Sequence, residues 1–380
     1  MRLRAIPLGR WFELQGGGDG RLLSMEGLRG LAVLLVFFVH YTDLIRPWLG
    51  ADDAWARTVS VILADVGNAG VDLFFMLSGY LIYGSLLARR QPFAVFLRRR
   101  AQRLYPTFVV VFALYVVLSL ALPRESKIPG DPLDAGLYLA ANLLFLPGVF
   151  DIRPMIAVAW SLSYEVLFYL TVPCLFVLLR LRDWPAAART ALCLGLTVII
   201  LVLLGDRGEP MRMGGFAAGM LLYETTRRPA GRAGDLLGLG GIGLLLGIWL
   251  VNDPAGREPL RFALLWFAFY AICRASLAGD GVVDRLFRWK PLRWLGNMSY
   301  SYYLIHGLVL KATTTALARV MPPPVTVEHV FWLALPPMFL LTAAVGAVLF
   351  LAVEKPLSLA KPKRAGAVSP PPPSRAPAAG

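Results

Sequence analysis

Arg29 and His40 are the residues of the first apolar segment whose types and spacing could support chemistry. They lie eleven positions apart in the sequence. Eleven residues at about 100° each complete about three helical turns, so both side chains leave one face of a helix, roughly 16 Å apart along its axis. A charge in a bilayer interior costs about 2.5–3.5 kcal/mol and is usually kept for a function. The pattern therefore predicts a functional pair, with Arg29 near the inner surface and His40 in the outer half of the membrane.

Asp72 and Glu165 are carboxylates that also fall within long apolar segments. If the second and fourth segments both run inward, these carboxylates meet His40 at a similar depth. A histidine beside a carboxylate suits a general base for a hydroxyl acceptor, because the carboxylate holds the ring tautomer and stabilises the imidazolium. The alternative for both carboxylates is an ion pair that joins helices. In a second topology Glu165 would lie in the inner half of the membrane and leave this group.

A cluster of arginines precedes the third apolar segment, in the stretch 88–103. Arg100 and Arg103 are three residues apart, on one helical face, at the very start of the span. Paired guanidinium groups suit phosphate oxygens, so these two predict a binding site for a nucleotide-bearing donor. The other arginines are explained by the excess of Lys and Arg in cytoplasmic loops. Tyr105, in the same motif, is a further candidate.

Two residues nearer the C-terminus are secondary candidates. His306 follows a run of serines and tyrosines in residues 299–303, which favours interhelical hydrogen bonds over catalysis. Glu354 lies at the inner end of the last apolar segment, where we expect it to pair with an inner arginine. The sequence predicts no metal site and no permanently bound cofactor.

Long apolar blocks carry all of these residues. Of the 380 residues, 57% are hydrophobic and 16% are charged, and a helix needs about 20 mostly apolar residues to cross a bilayer. The sequence therefore predicts an all-α fold, a polytopic integral membrane helix bundle of about ten transmembrane spans. The clear candidates are residues 28–46, 67–87, 104–122, 157–179, 190–204, 236–252, 260–273, 295–317 and 330–353.

Two shorter segments, 133–150 and 213–224, are ambiguous. Cytoplasmic loops carry an excess of Lys and Arg, and this rule favours one of the two as a span, with both termini cytoplasmic. It leaves open which one crosses, and we prefer 213–224, with 133–150 as an outer surface or re-entrant segment. The net charge of +14 comes from basic residues in short loops. We therefore expect contact with membrane lipid and none with nucleic acid.

The composition divides the chain into three regions. Residues 1–24 are rich in Gly and Arg and predict a cytoplasmic N-terminal segment. Residues 25–357 contain the predicted spans and every candidate site residue. Residues 358–380 are rich in Pro, Ala and Ser, which predicts a disordered cytoplasmic tail.

Six short motifs, in order, resemble the acyltransferase-3 family of bacterial membrane O-acyltransferases. Each motif alone is weak, but together they cover roughly residues 24–357. The motifs are Glu26-Gly27-Leu28-Arg29-Gly30 running to His40, Gly70-Val71-Asp72-Leu73-Phe74-Phe75 with Ser78-Gly79-Tyr80, Arg100 and Arg103 before Pro106, Trp160-Ser161-Leu162 with Glu165, Leu295-Gly296 with Ser299-Tyr300 and Tyr303 to His306, and Glu354-Lys355-Pro356.

The resemblance implies an enzyme of the bacterial cytoplasmic (inner) membrane. Family members transfer an acyl group, usually acetyl, from cytoplasmic acetyl-CoA or another acyl-CoA to a hydroxyl. Their acceptors are glycans, peptidoglycan, antibiotics or lipids, so the expected partner is a carbohydrate or lipid-linked acceptor. Carried over to this chain, His40 would be catalytic with Arg29 as its partner, and Arg100 and Arg103 would bind the donor's phosphates. Arg29 would also help to bind the donor, and Glu354 would be a further important site.

Some members of this family carry a hydrolase-like domain after the last span. Here a Pro-rich tail follows that span, so we expect no second, extracytoplasmic transfer step within this chain. The main alternative function is a transporter or flippase that uses the buried charges as a substrate or proton path. The absence of a visible internal repeat and the Arg100–Arg103 pair favour the enzyme, and consumption of a thioester would decide between the two.

Overall fold

The computed structural model describes residues 9–14, 20–50, 53–205, 207–226, 231–250, 258–279, 281–323 and 329–359. Most of these residues are helical and none of them forms a β-strand, which confirms the predicted all-α class. The helices are α1 Gly9–Phe12, α2 Gly20–Ile45, α3 Ala54–Asn68, α4 Gly70–Ala88, α5 Phe93–Ala121, α6 Pro132–Leu143, α7 Trp160–Leu178, α8 Ala186–Leu204, α9 Gly214–Thr225, α10 Gly231–Leu250, α11 Glu258–Ser276, α12 Val282–Phe287, α13 Lys290–Asn297, α14 Ser299–Val320, α15 Val330–Leu349, and a π-helix Phe350–Ser358.

Six helical stretches within the described ranges are long and apolar enough to cross a membrane. The sequence predicted more spans than this, but α9 has only 12 residues, and α14 is less apolar because it begins with serines and tyrosines. The six stretches are Leu23–Trp48, Ala54–Ala88, Phe93–Ala121, Ala157–Leu178, Ala186–Leu204 and Val330–Ser358.

The second predicted span, residues 67–87, is the later part of a longer stretch formed by two consecutive helices, α3 and α4. α3 precedes α4, with a single residue between the two helices. Gly67, near the end of α3, lies against Leu35 and Val39 of α2, because a residue without a Cβ lets two backbones approach closely. Gly70, at the start of α4, lies against Ala32 and Val36 of α2, so Asp72 lies further along the bundle from His40. The equal depth predicted for Asp72 and His40 is wrong, because the helical path begins with α3, before the predicted span.

The arginine-rich stretch 88–103 is mostly helix rather than loop. α5 begins at Phe93 and runs for 29 residues, with Pro106 inside it. A proline removes one backbone hydrogen bond from a helix, but the helix continues on both sides of it. Arg100 and Arg103 therefore extend from a regular helix, about one turn apart on one face.

α6 lies in the ambiguous segment 133–150 and is short. Its 12 residues span about 18 Å, less than the ~30 Å core of a bilayer.

α4 and α7, which flank α5 and α6 in the chain, run in the same direction. Phe75 packs on Tyr164 with ring centroids 6.4 Å apart, and further along both helices Tyr83 packs on Phe176 at 5.3 Å. Because α4 and α7 run in the same direction, the chain between them must return once along the bundle, and α5 is the helix that returns.

α2 and α13 pack with their backbones in close approach. A Cβ on Gly30 would lie 2.0 Å from the carbonyl oxygen of Leu292, and a Cβ on Gly296 would lie 1.7 Å from that of Glu26. A salt bridge of 2.8 Å between Arg293 and Glu26 joins the same two helices. The glycines of the first and fifth motifs therefore fix the position of α2, the helix that carries both Arg29 and His40.

Parts of the predicted terminal regions lie outside the described residues. These are residues 1–8 and 15–19 of the predicted N-terminal segment, and residues 360–380 of the predicted disordered tail. Within the N-terminal part that is described, Phe12 packs on Trp294 of α13 with ring centroids 6.2 Å apart.

Gly296→Ala should lower the melting temperature of the protein in detergent, because the new Cβ would meet a backbone carbonyl that moves only with α2. Overpacking of this kind costs about 1–3 kcal/mol. Gly195→Ala on α8 is the matched control, since nothing lies within 4 Å of the Cβ it would add. Equal melting temperatures for the two variants would contradict the close packing of α2 on α13.

Candidate active site

A cavity of about 140 Å³ that contains several charged side chains lies between α2, α4, α5, α7 and α14. Charged groups that line a cavity among membrane helices are functional candidates, because burying them without a use is costly. The charged residues of the lining are Arg29, Arg100, Arg103 and Glu165, and its hydroxyl-bearing residues are Ser78, Ser161, Tyr169, Ser299, Tyr300 and Tyr303.

Arg29 and Arg100 reach the cavity from α2 and α5. Arg29 donates from Nη2 to Oγ of Ser299 at 2.8 Å. The guanidinium of Arg100 lies over the rings of Phe96 and Tyr169, 5.3 and 5.7 Å from their centroids. Its Nε is buried and has no hydrogen-bond partner among the described residues. Each guanidinium has five N–H donors, so both arginines keep donors available for an anionic ligand.

Arg103 is held by Glu354. The two form an ion pair of 2.6 Å, and the glutamate side chain is fully buried. Its Oε2 also accepts from the backbone N and Oγ of Ser301, at 3.0 and 2.6 Å. The π-helix that presents Glu354 is a rare conformation that often marks functional sites. The ring of Tyr300 packs against Arg103 at 5.8 Å. Glu354 therefore pairs with an arginine, as predicted.

Glu165 lies in this cavity and not beside His40. Its Oε1 accepts from Oγ of Ser78 at 3.1 Å and from the hydroxyl of Tyr169 at 2.5 Å. Because α7 runs alongside α4, Glu165 is level with Ser78 and shares the cavity with Arg29. The predicted meeting of Glu165 with His40 is therefore corrected: the carboxylate joins the three arginines.

His40 lies outside the lining of the cavity and contacts His306. Nδ1 of His40 is 2.9 Å from the carbonyl oxygen of Val36 and 3.4 Å from Nε2 of His306. The two rings meet edge to face with centroids 4.9 Å apart. A carbonyl oxygen only accepts, so Nδ1 of His40 carries the hydrogen, and Nε2 keeps its lone pair. The geometry therefore leaves Nε2 of His40 able to accept a proton.

His306 is fully buried on α14. Its Nδ1 is 2.8 Å from the carbonyl oxygen of Tyr303 and 3.1 Å from that of Tyr302. These contacts require a hydrogen on Nδ1 and leave Nε2 as the acceptor that faces His40. The hydrogen bonds within α14 agree with the structural role favoured for His306, while the contact with His40 was not visible in the sequence.

Asp72 belongs to a separate ion pair. Its Oδ2 lies 2.6 Å from Nη1 of Arg212, and Nε1 of Trp266 lies 3.5 Å from Oδ1. Arg212 also donates to the backbone oxygen and side chain of Asn68, both at 2.9 Å. Asp72 therefore does not join His40, as the sequence had suggested. Of the two roles left open for Asp72, the structure favours the ion pair that joins helices.

Tyr105 also lies outside the lining of the cavity. Its hydroxyl donates to the carbonyl oxygen of Leu143 at 3.1 Å, and its ring packs on Phe145 with centroids 5.3 Å apart. These contacts tie α5 to the end of α6. Tyr300 and Tyr303 line the cavity, although the sequence assigned them no site role. They belong to the fifth motif and to a hydroxyl-rich helix start, and neither signal reveals which rings face inward.

The site combines a cluster of arginines with an imidazole. The cavity holds three arginines and one glutamate, and His40 lies further along the helix that carries Arg29. A neutral imidazole with a free ring nitrogen accepts a proton from a hydroxyl. Across the described ranges, no group of three or more His, Cys, Asp and Glu side chains is arranged to hold a metal ion.

A family model described as "Acyltransferase domain" matches residues 22–353 of the chain. The chain belongs to the acyltransferase-3 family. The resemblance carried by the six short motifs is thereby confirmed. Its long apolar helices and its family make it a multi-pass membrane protein. The alternative of a transporter or flippase is not favoured.

Several relatives match most of this chain. Peptidoglycan O-acetyltransferase OatA of Listeria monocytogenes is 26% identical over 79% of this chain and 51% of its own length. Acyltransferase MdmB of Streptomyces mycarofaciens is 28% identical over 77% of this chain and 79% of that protein. O-acetyltransferase OatA of Staphylococcus aureus is 25% identical over 75% and 50%. The chain therefore spans about half the length of the two OatA proteins. No solved structure matches it.

Glu354→Ala should strongly lower the melting temperature in detergent. Removing one partner of a buried ion pair leaves the other charge unpaired and costs about 3–5 kcal/mol. Glu125→Ala is the matched control, because its side chain is 70% exposed and its cation, Lys311, is 4.0 Å away. Exposed pairs contribute about 0–1 kcal/mol. A melting temperature for Glu354→Ala as high as that of the control would contradict the role of this pair in holding α5.

Proposed function

We propose that the protein transfers an acyl group, with acetyl as the expected one, from cytoplasmic acyl-CoA to a hydroxyl of an exported or cell-surface glycan. The observation that carries the proposal is the placement of Arg29, Arg100 and Arg103 around one cavity, with His40 further along α2. Coenzyme A has phosphates at one end of a long arm and the thioester at the other. It therefore suits a site in which the arginines of α2 and α5 are held apart from the base on α2. Acyl-CoA is a co-substrate here and not a resident cofactor.

Arg100 and Arg103 bind the phosphates of the donor in this proposal. Planar guanidinium groups form paired, charge-assisted hydrogen bonds with phosphate oxygens. Arg103 already has a carboxylate partner in Glu354 at 2.6 Å, so its charge is offset while the donor is absent. Glu165 offsets further positive charge from inside the cavity. Arg29, bound to Ser299, lies on the path from the phosphates toward His40.

His40 acts as the general base. The acceptor hydroxyl gives its proton to Nε2 of His40, and its oxygen attacks the thioester carbonyl carbon. The C–S bond breaks, and the thiolate of CoA leaves toward the cytoplasm and takes up the proton. His306 and the carbonyl of Val36 hold the hydrogen on Nδ1 of His40, which keeps Nε2 unprotonated for the next acceptor. A positioned base of this kind contributes about 10²–10⁴-fold to the rate.

The acceptor reaches the site from the outer side, because His40 lies nearer than Arg29 to the outer end of α2. The OatA of Listeria monocytogenes is named as a peptidoglycan O-acetyltransferase. A carbohydrate hydroxyl, free or lipid-linked, is therefore the acceptor class that we propose for this chain. Membrane lipid surrounds the bundle, and nucleic acid has no part in the reaction.

We further propose ten crossings of the bacterial inner membrane, with both termini cytoplasmic and residues 25–357 as the acyltransferase unit. α9 runs parallel to α4, because Phe216 stacks on Phe75 at 4.3 Å and Tyr223 packs on Tyr80 at 5.3 Å. This direction supports 213–224 as the crossing segment, with α6 remaining on the outer side. The arginines of residues 89–103, before and at the start of α5, then lie on the cytoplasmic side, as the excess of positive charge there requires.

The purified protein should bind acetyl-CoA and release thiol slowly, because water stands in for the acceptor. His40→Ala should bind the donor normally but lose thiol release by about 100-fold or more. Arg103→Ala should bind the donor more weakly, because a charge-assisted contact to phosphate is lost. Isothermal titration calorimetry measures the affinity, and a thiol-reactive dye measures the release.

Arg98→Ala is the matched control for Arg103→Ala, since Arg98 is exposed on the same helix. His329→Ala is the matched control for His40→Ala. Undiminished thiol release by His40→Ala would exclude His40 as the base. Undiminished donor affinity in Arg103→Ala would exclude its phosphate role, and a wild type that binds no acyl-CoA would exclude the donor itself.

The topology is tested by labelling single cysteines in intact cells with a membrane-impermeant maleimide. Asp131→Cys should be labelled and Gln91→Cys should be protected, each in a chain whose three native cysteines are replaced. The two positions flank α5 and should lie on opposite sides of the membrane. The reverse pattern would place the arginines outside and contradict the cytoplasmic donor site.

A further inference from the structure

Phe74 and Tyr303 lie toward one end of the cavity. Both residues line it, and their rings meet edge to face with centroids 5.9 Å apart. The Tyr303 hydroxyl shares a hydrogen bond of 2.7 Å with Oγ of Ser161 and donates to the carbonyl oxygen of Val158 at 3.1 Å. The far end of the Tyr303 ring is therefore tied to the start of α7. We call Phe74 and Tyr303 the aromatic partition.

Along α14, Tyr303 of the aromatic partition lies between Ser299, which binds Arg29, and His306, which contacts His40. Along α14 the lining of the cavity ends at Tyr303, and His306 lies one turn further on. The ring centroids of Tyr303 and His306 are 6.0 Å apart. Neither His306 nor His40 belongs to the lining, whereas Arg29 does. An acyl group that extends from the arginines toward His40 therefore meets these two rings.

We infer that the aromatic partition sets the length of the acyl chain that the enzyme accepts. This inference rests on the proposed function, because it assumes that the cavity holds an acyl donor. A short chain needs the least displacement of the two rings. Each added methylene must move a Tyr303 ring that is held by two hydrogen bonds and by contact with Phe74. A pocket end of this kind discriminates by about 10–200-fold for one methylene.

The test compares thiol release from acetyl-CoA, butyryl-CoA and hexanoyl-CoA by the whole chain in detergent. Wild type should consume acetyl-CoA fastest. Phe74→Ala should raise the ratio of kcat/KM for butyryl-CoA to that for acetyl-CoA by about tenfold or more, because it opens space for the longer chain. Tyr303→Phe should raise the ratio less, because the ring stays and only its hydrogen bonds are lost.

Phe267→Ala is the matched control, since it removes a phenyl ring that is 52% exposed on α11 and should leave the ratio unchanged. Acetyl-CoA affinity equal to that of wild type shows that each variant is folded. Phe74→Leu, which keeps most of the apolar volume, replaces Phe74→Ala if the latter does not fold, and should also raise the ratio.

Two results would overturn the inference and leave the proposed function standing. One is an unchanged ratio of kcat/KM for butyryl-CoA to that for acetyl-CoA in every variant of Phe74 or Tyr303 that still binds acetyl-CoA normally. The other is a wild type that consumes hexanoyl-CoA as fast as acetyl-CoA. If wild type bound and consumed no acyl-CoA of any length, the proposed function would fail, and the inference about chain length would fail with it.

Discussion

A charge inside a membrane protein needs a partner, and this requirement organises the structure. In each of three ion pairs a fully buried carboxylate holds an arginine of another segment at 2.6 Å, and breaking such a pair costs several kcal/mol. The pairs are Arg103–Glu354, Arg189–Glu224 and Arg212–Asp72. Arg29 and Arg100 are satisfied differently, by a serine hydroxyl and by aromatic rings. The cavity therefore combines one arginine that is already paired with two whose charges are available to an anion.

The same requirement links the fold to the proposed chemistry. α2 carries Arg29 at the cavity and His40 outside its lining, and close glycine contacts with α13 fix the position of α2. α14 runs parallel to α2 and supplies Ser299 to Arg29 and His306 to His40. Two parallel helices thus position both ends of the site, so the anion-binding region and the base stay at a constant separation.

Periodicity within one helix was enough to predict the pairs that share a helix. Arg29 with His40, and Arg100 with Arg103, follow from 3.6 residues per turn, and α2 and α5 are unbroken between the members of each pair. Contacts between helices depend on depth and on which helices are neighbours, and neither is encoded in a local pattern. Asp72 was placed too near the outer side because α3 was missed. The neighbours of Glu165 could not be assigned without the α4–α7 pairing.

A cryo-electron microscopy map of the protein with a non-hydrolysable thioether analogue of acetyl-CoA tests the central claim most directly. The phosphates of the analogue should lie beside Arg100 and Arg103, with its acyl end directed past Arg29 toward Phe74 and Tyr303. Density for the analogue on the outer side of the bundle, or anywhere away from α5, would contradict the claim that the arginine-lined cavity binds the acyl donor.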